Sequence, residues 1–408
     1  MKQRLVVIGN GMAGMRTVEE LLTAAPDKYE ITVFGAEPYG NYNRIMLSSV
    51  LCGEKTIEDI VINNRQWYLD NGIMLHAGED KAVARIDRKH RKIYAQDGTV
   101  AGYDRLLIAT GSKAVIPKVP GNELDGVISF RDIVDVNKML AYSRSHKKAV
   151  ILGGGLLGLE AANGLVLRGM DVTVIHNHEI LLNRQMDKLA AKMLQTELEQ
   201  RGLKFKMAAK LKQLSGDEQG HIKAISFEDG SRLECDLFVT AIGVRPNMTL
   251  AQEAGIYCER GIVVNDTLQS YDPSIYAVGE CIQHRGATFG LVAPLFEQAK
   301  VCANHLSAHG AAEYVTLPTA TKLKVTGINL FSVGDFQGDK DSEIIRFIDP
   351  ALGIYKKLVI KANKLIGAVL YGETADGNWY QQMLEKEDNI SDIRDVLIFG
   401  KAYAGVVT

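Results

Sequence analysis

Two glycine-rich turns, each between a predicted strand and a predicted helix, constrain this 408-residue chain more than any other feature. They span residues 9–14 (GNGMAG) and residues 153–158 (GGGLLG). An apolar run at residues 4–8 precedes the first turn, and a helical pattern over residues 15–22 follows it. Residues 30–34 then have the composition of a second strand. The pattern predicts a strand, a tight turn, a helix and a strand in succession.

The second turn lies in the same kind of surroundings. Residues 148–152 are an apolar run, residues 159–168 have helical spacing, and residues 171–175 predict the next strand. Units of this kind form parallel sheets with right-handed crossovers. The sequence therefore predicts an α/β fold with two Rossmann-like domains.

The glycines of such a turn each have a physical role. One permits the tight turn, one lets the backbone approach a pyrophosphate, and one lets the helix pack closely on the strand. The first helical amides lack internal partners and point at the phosphates. The predicted contacts of the first turn are Gly9, Gly11, Met12, Ala13 and Gly14, and those of the second are Gly153, Gly155, Leu156, Leu157 and Gly158.

Two turns predict two dinucleotides. If one is a permanently held FAD, the other is the nicotinamide nucleotide that delivers a hydride to it. The alternatives are a purely structural glycine turn, or duplication in which one of the two sites is inactive.

Polar residues after the second strand of each unit bear on nucleotide choice. Glu37 is placed to accept hydrogen bonds from ribose hydroxyls, unless it is a solvated loop carboxylate. The second unit has His176-Asn177-His178 there, with neither an acid nor an arginine, which leaves NADH and NADPH open. For His176 a plain loop position and a ribose contact both remain.

Composition excludes several classes of protein. A formal net charge of -2 and a pI near 6.5 offer no basic surface for nucleic acid. No stretch approaches the roughly 18 apolar residues of a membrane span, and the start of the chain leads straight into a strand, so we expect a cytoplasmic protein. The five cysteines, far apart in sequence, predict neither a metal site nor a redox-active disulfide: Cys52, Cys235, Cys258, Cys281 and Cys302.

Later segments predict how the domains connect. The strands LLIATG (106–111) and LFVTAIG (237–243) each end where the chain crosses a domain border. A strand at residues 275–278 precedes Gly279 and Glu280, and a helix is expected over residues 294–305.

From residue 317 the pattern changes to alternating strands, with helices near 380–385 and 390–398. We therefore predict an FAD domain over 1–111 and 243–316, an NAD(P)H domain over 112–242, and a C-terminal α+β domain with antiparallel sheet over 317–408.

The motifs GNGMAG, ATG, GGGLLGLE, TAIGVRPN, IYAVGEC and FGLVAP occur in this order. Together they resemble the flavoprotein reductases of the rubredoxin and ferredoxin reductase type, which have the pyridine nucleotide-disulfide oxidoreductase fold. Within that group the chain is most similar to the amino-terminal flavoprotein part of the bacterial NAD(P)H nitrite reductase large subunit. The resemblance covers nearly the whole chain.

The resemblance implies further site residues. Glu160 would lie near the nicotinamide carboxamide, and Arg44 along the pyrophosphate or the flavin edge, where the alternative is a surface salt bridge. The remaining FAD contacts implied are Ala109, Thr110, Gly111, Gly279, Glu280, Val292, Ala293 and Pro294, and the remaining NAD(P)H contact is Gly243. Many relatives have aspartate where Glu280 stands and lysine where Ser49 stands.

The resemblance also implies the reaction. NAD(P)H would reduce FAD, and electrons would pass singly to a redox protein or to an iron–sulfur and sirohaem module, whose clustered cysteines do not occur up to Thr408. The alternatives are a stand-alone rubredoxin or ferredoxin reductase, an NADH oxidase, or a non-catalytic redox sensor.

The C-terminal domain would close over the flavin or form a subunit interface, as in a homodimer. Its residues Trp379 and Tyr380 are predicted to be exposed.

Overall fold

The computed structural model describes residues 2–316, 321–325 and 327–405. The chain divides into two compact units. The first comprises Met1–Val50, Lys55–Val115 and Gly243–Thr316, and the second comprises Leu51–Glu54, Ile116–Ile242 and Leu317–Thr408. The predicted border at residue 317 and the last three residues of the predicted third domain lie outside the described residues.

The first unit is built on a five-stranded parallel sheet. Its strands in spatial order are Ile275–Ala277, Arg105–Ile108, Gln3–Ile8, Tyr29–Gly35 and Met74–Ala77. Each central strand is an apolar run buried on both faces, as parallel sheets require. The two long helices of this unit are Met12–Ala24 and Val292–Leu306.

Smaller elements complete the first unit. Its short helical segments are Arg44–Met46, Leu47–Cys52, which continues into the second unit, Glu58–Ile60, Arg65–Asp70, Glu79–Lys81 and Thr249–Glu253. Its antiparallel strands are Asn41–Tyr42, Val61–Asn63, Val83–Asp87, Lys92–Ala95, Val100–Gly102, Ser112–Ala114, Val244–Pro246 and Ala287–Thr288, and Ile262–Val264 pairs in parallel with Ile282–His284.

The second unit repeats the parallel plan. Its sheet has the order Val127–Ser129, Leu237–Thr240, Lys148–Leu152, Asp171–Ile175 and Lys204–Lys206. The helices of this part are Ile133–Ser145, Leu156–Leu167 and Lys188–Gln200, and an antiparallel meander is formed by Leu211–Gly216, Ile222–Phe227 and Arg232–Glu234.

The predicted C-terminal antiparallel sheet is confirmed within the described residues. Its strands in spatial order are Thr321–Val325, Ile328–Gly334, Lys364–Tyr371, Ile354–Lys361 and Glu343–Asp349. Helix Gly377–Lys386 packs on it, and the short helix Lys401–Ala404 follows later.

Two predictions for this region are wrong. Residues 390–398 form successive turns that end in the 3₁₀ segment Leu397–Phe399, with i→i+3 bonds such as that from the Ile393 amide to the Ile390 carbonyl, which the same apolar spacing also permits. Tyr380 is fully buried and donates a hydrogen bond to the Leu397 carbonyl at 2.7 Å, and Trp379 is half-buried.

A buried lysine of the second unit is paired with a carboxylate. Lys357, only 4% exposed, lies with its Nζ 3.5 Å from a carboxylate oxygen of Asp187. The same carboxylate accepts a hydrogen bond from the Tyr355 hydroxyl and, at 3.1 Å, from the Ala190 amide at the start of helix Lys188–Gln200. One side chain therefore caps a helix and neutralises a buried lysine.

Replacing this carboxylate should destabilise the unit strongly. Asp187→Ala removes the counter-charge of a buried ammonium and a helix cap, which costs about 3–5 kcal/mol. The matched control is Asp171→Ala, which breaks the exposed Lys204–Asp171 pair (2.8 Å) and should cost under about 1 kcal/mol. Urea unfolding of the full chain gives the free energy of unfolding of both variants. An equal loss in the two would show that the buried pair contributes no more than the exposed one.

Candidate functional site

The first glycine turn brings the backbone against a neighbouring strand. Gly9 has φ +113°, and a Cβ there would lie 2.1 Å from the Ala109 carbonyl oxygen. A Cβ on Gly14 would lie 2.8 Å from the Gly9 carbonyl oxygen. A Cβ on Gly11 would meet no atom within 4 Å. The protein's own packing requires the outer two glycines, whereas the middle one leaves an open cradle.

The second turn has the same geometry. Gly153 has φ +127°, and its Cβ would lie 2.4 Å from the Ala241 carbonyl oxygen. A Cβ on Gly158 would lie 2.0 Å from the Gly153 carbonyl oxygen, and one on Gly155 would meet nothing within 4 Å. The second turn therefore also leaves space at its middle glycine.

The helices that follow these turns begin without side-chain caps. Met12–Ala24 and Leu156–Leu167 start after Gly11 and Gly155, with no capping side-chain hydrogen bond and no acid in the first turn. By contrast, the Asp187 carboxylate caps helix Lys188–Gln200. Uncapped amides and the positive end of the helix dipole suit an anion, so both turns fit a pyrophosphate.

Glu37 lies in the loop after strand Tyr29–Gly35, where the sequence predicts it. Its two carboxylate oxygens accept hydrogen bonds from the Tyr42 hydroxyl at 2.6 Å and from Arg44 Nη2 at 2.5 Å. Arg44 also lies over the Tyr42 ring, 5.0 Å from its centroid. In this structure Arg44 therefore holds Glu37, and the carboxylate retains acceptor capacity for ribose hydroxyls.

The segment Ala109–Thr110–Gly111 is held by a residue that sequence reasoning did not select. The Thr110 hydroxyl donates to the Asn247 carbonyl at 2.6 Å, and the Asn247 amide donates to the Gly111 carbonyl at 2.9 Å. The only sequence signal for Asn247 is its place at the end of the GVRPN motif. Its separation of 137 residues from Thr110 hides the contact.

Glu280 follows the short strand Ile275–Ala277 and is oriented by the first unit itself. The Ser112 hydroxyl donates to a Glu280 carboxylate oxygen at 2.9 Å, across 168 residues of sequence. Helix Val292–Leu306 starts two residues before the predicted Pro294, so Val292, Ala293 and Pro294 form its first turn. This helix also begins without a side-chain cap or an acid.

The strand pairing of the two sheets shows which residues are equivalent in the loops that follow the second strand of each unit. Ile8 pairs with Phe34 in the first unit, and Leu152 pairs with Ile175 in the second. Glu37, the third residue after Phe34, therefore corresponds to His178. The second unit has an exposed histidine where the first has its acid.

His176, for which the sequence left a loop position and a ribose contact open, supports the second glycine turn. It is buried at 8% exposure, and its Nδ1 accepts a hydrogen bond from the Gly154 amide at 3.1 Å. The proton of the neutral ring is then on Nε2. Burial, followed by the nearby His178, lowers the pKa of His176. His176 thus supports the second glycine turn from within the unit.

Two other predicted NAD(P)H contacts are placed as follows. Glu160 is half-buried in helix Leu156–Leu167, about one turn from its start. Gly243 belongs to the first unit, has φ +111°, and accepts a hydrogen bond from the Val115 amide at 3.0 Å. Gly243 directly follows Ile242, whose amide nitrogen would lie 3.4 Å from a Cβ on Gly153.

The cysteines are thiols without disulfide partners. Burial raises the pKa of Cys258 and of Cys281 to about 11. Within the described ranges, no group of three or more His, Cys, Asp or Glu side chains could hold a metal ion. Of the helices described, none has the length and apolar character needed to cross a membrane.

Comparison with known proteins decides the family. The model for the pyridine nucleotide-disulphide oxidoreductases matches residues 3–305. The chain belongs to this family. A second model, for the C-terminal domain of rubredoxin NAD+ reductase, matches residues 319–388.

Two curated relatives of this oxidoreductase come from Bacillus subtilis (strain 168). The nitrite reductase [NAD(P)H] is 46% identical over 97% of this chain and 49% of its own length. The assimilatory nitrate reductase electron transfer subunit is 44% identical over 97% of this chain and 51% of its own length. The chain thus spans about half the length of these relatives.

Among solved structures, the NADH:rubredoxin oxidoreductase of Clostridium acetobutylicum is similar with a TM-score of 0.81 and 26% identity, covering 98% of this chain and 99% of that one. The predicted family resemblance is confirmed, and so is the predicted α/β fold with its C-terminal antiparallel sheet. FAD, with NAD(P)H as the reductant, is the cofactor pair that this oxidoreductase family implies.

The open cradle of the second turn gives a sharp mutational test. Gly155 has extended backbone (φ -85°, ψ 177°), so Gly155→Val should fold normally while its side chain fills the space for a pyrophosphate. We expect NAD(P)H affinity to fall at least about tenfold with little change in stability. The comparison is Gly158→Ala, whose Cβ meets the Gly153 carbonyl and should destabilise the fold. If Gly155→Val binds NAD(P)H normally by titration calorimetry, the cradle is not the nucleotide site.

The buried His176 predicts an acid-sensitive second unit. Because its pKa in the folded chain lies below the ordinary value of about 6.5, the unfolded chain binds more protons at acid pH. Stability should therefore fall as pH drops below 6.5, by up to about 1.4 kcal/mol per pH unit. His176→Leu should flatten this dependence in urea unfolding, whereas the exposed neighbour's variant His178→Gln should keep it. An unchanged slope in His176→Leu would contradict the assignment.

Proposed function

We propose that this chain is the flavoprotein reductase of an assimilatory nitrite-reducing system. The first unit holds FAD, the second binds NAD(P)H, and the electrons pass to an iron–sulfur and sirohaem module. When bound, FAD supplies the chemistry that accepts a hydride and releases electrons one at a time. The observation that carries this proposal is the pair of glycine cradles, each facing an uncapped helix.

In the first unit the chain's own residues bind and orient. Gly11 leaves room for the pyrophosphate, and the amides of helix Met12–Ala24 donate to it. Glu37, held by Tyr42 and Arg44, accepts from the adenosine ribose. Glu280, oriented by Ser112, accepts from the ribityl hydroxyls, with a side chain one methylene longer than the usual aspartate.

Helix Val292–Leu306 contributes charge. With no acid in its first turn, its positive end stabilises negative charge on a ligand group placed before it. The resemblance implies that Val292, Ala293 and Pro294, in the first turn of this helix, contact the flavin. The positive end of the helix would then stabilise the reduced, negatively charged flavin.

In the second unit the nucleotide binds and leaves once in each catalytic cycle. Gly155 and the amides of helix Leu156–Leu167 bind its pyrophosphate, and Glu160 orients the nicotinamide carboxamide. At the position that corresponds to Glu37, His178 brings no negative charge against a ribose 2′-phosphate. Both NADH and NADPH are therefore substrates in this proposal.

The names of the relatives support the choice of acceptor. One is a nitrite reductase, and another is the electron transfer subunit of an assimilatory nitrate reductase, at 46% and 44% identity. A second candidate acceptor is rubredoxin, because the C-terminal sheet matches the rubredoxin reductase domain and the Clostridium enzyme covers nearly the same length. In this proposal the enzyme is cytoplasmic, and its C-terminal domain forms the interface of a homodimer.

Anaerobic reduction and reoxidation test the proposal. The purified chain should be yellow, should bleach with stoichiometric NADH or NADPH, and should recover its colour with a sirohaem nitrite reductase module while nitrite is consumed. Gly155→Val is the matched control, since it should hold FAD and bleach with dithionite but far more slowly with NAD(P)H.

The outcomes separate the candidates. Reoxidation by rubredoxin alone would favour the second acceptor, and rapid turnover with oxygen alone would indicate an oxidase. A colourless protein that binds no FAD, or bleaching without turnover by any acceptor, would overturn the reductase assignment.

A further inference from the structure

The turn Gly279–Glu280 is held from inside the first unit by a buried amide side chain. Gln298 is 0% exposed, and its Oε1 accepts a hydrogen bond from the Gly279 amide at 2.8 Å. We propose that Gln298 is a positioning residue that sets the conformation of this turn for FAD. The inference rests on the proposed FAD site of the first unit.

The turn needs such a partner because its backbone conformation is unusual. Gly279 has φ +94°, a region that favours glycine, and its amide is buried. A Cβ on Gly279 would lie 3.1 Å from the Cβ of Ala13, in the first turn of helix Met12–Ala24. The turn therefore packs against the first residues after the first glycine turn. A rotation of the Gly279 peptide would displace Glu280 from the hydroxyl of Ser112.

Gln298 is itself oriented by a second contact. Its Nε2 donates to the Tyr314 hydroxyl at 3.5 Å, so the carbonyl oxygen is the end that faces Gly279. The Tyr314 ring packs edge-on against His284, with centroids 5.0 Å apart. His284 is fully buried, with its Nε2 2.8 Å from an Asp266 carboxylate oxygen. A chain of buried groups thus limits the rotamers open to Gln298.

Gln298 also links the Gly279 turn to the helix that begins with the other predicted FAD contacts. It is the seventh residue of helix Val292–Leu306, about two turns from the end that carries Pro294. One hydrogen bond therefore joins this helix to the Gly279 turn, and two groups of predicted FAD contacts keep a constant separation. Such preorganisation lowers the ordering cost of binding and slows release.

The carbonyl acceptor can be removed or kept by single substitutions. Gln298→Leu leaves the buried Gly279 amide without its acceptor. Gln298→Glu keeps it, because a carboxyl group at a fully buried position is neutral and offers both a carbonyl oxygen and a hydroxyl donor for Tyr314. Cys302→Ala is the control, since Cys302 is equally buried one turn further along the same helix and faces the core.

The measurement is the rate of FAD release from the full-length holoprotein after dilution, followed by flavin fluorescence. We expect release from Gln298→Leu to be about tenfold faster, since losing the acceptor of a buried amide is worth about one factor of ten. Gln298→Glu should restore the rate to within about threefold of the original protein, and Cys302→Ala should leave it unchanged.

Three results would overturn the inference: an unchanged rate in Gln298→Leu, equal acceleration in Gln298→Glu, or equal acceleration in Cys302→Ala. The last would show that general loss of core packing governs release. A starting protein that holds no FAD would instead contradict the proposed function itself, so the two failures are distinguishable.

Discussion

The close approach of a glycine backbone to the carbonyl at the end of a neighbouring strand organises both parallel sheets. Gly9 lies against Ala109 and Gly153 against Ala241, at distances that leave no room for a Cβ. That contact places the start of the following helix directly above the carboxyl edge of its sheet, where ligands of such folds bind. The segments ATG and TAIG are thus as necessary to the turns as the glycines themselves.

In each unit, a space lies between the second residue of the glycine turn and the residue that follows the second strand's pairing with the first. The side chain that fills this space comes from the turn in one unit and from the strand in the other. In the first, Gly35 ends the second strand, and the side chain of Asn10 occupies the gap. In the second, the turn has Gly154, and the side chain at the corresponding strand position is His176. In both units one side chain fills this space opposite a glycine, although the chain segment that supplies it has changed, as close packing demands. A comparison of the turns alone would suggest that Gly154 contacts a ligand, whereas it makes room for a histidine.

Local pattern explains what could be predicted from the sequence. The parallel strands and the helices after the turns follow from apolar runs and periodic spacing, and their predicted bounds are close to those observed. Partners distant in sequence could not be inferred. The hydrogen bonds from Ser112 to Glu280 and from Gly279 to Gln298 depend on which strands are neighbours in the sheet. The types of these residues do not indicate the strand order.

Residues 390–398 show a different failure of sequence reasoning. Apolar residues spaced three apart suit a helix and successive turns equally well. The Asn389 side chain accepts from the Ser391 amide at 3.0 Å, which forms the first of these turns. The apolar spacing alone could not separate the two outcomes.

The same contacts explain why the two dinucleotides should differ in how firmly they are held. In the first unit, Tyr42 and Arg44 orient Glu37, and Ser112 orients Glu280, before any ligand arrives. Oriented acceptors reduce the entropy lost on binding, so this unit suits a cofactor that stays. In the second unit the position that corresponds to Glu37 is the exposed His178, with no carboxylate. On the proposed assignment of NAD(P)H to this unit, the nucleotide relies mainly on its pyrophosphate and leaves after each hydride transfer, as a substrate must.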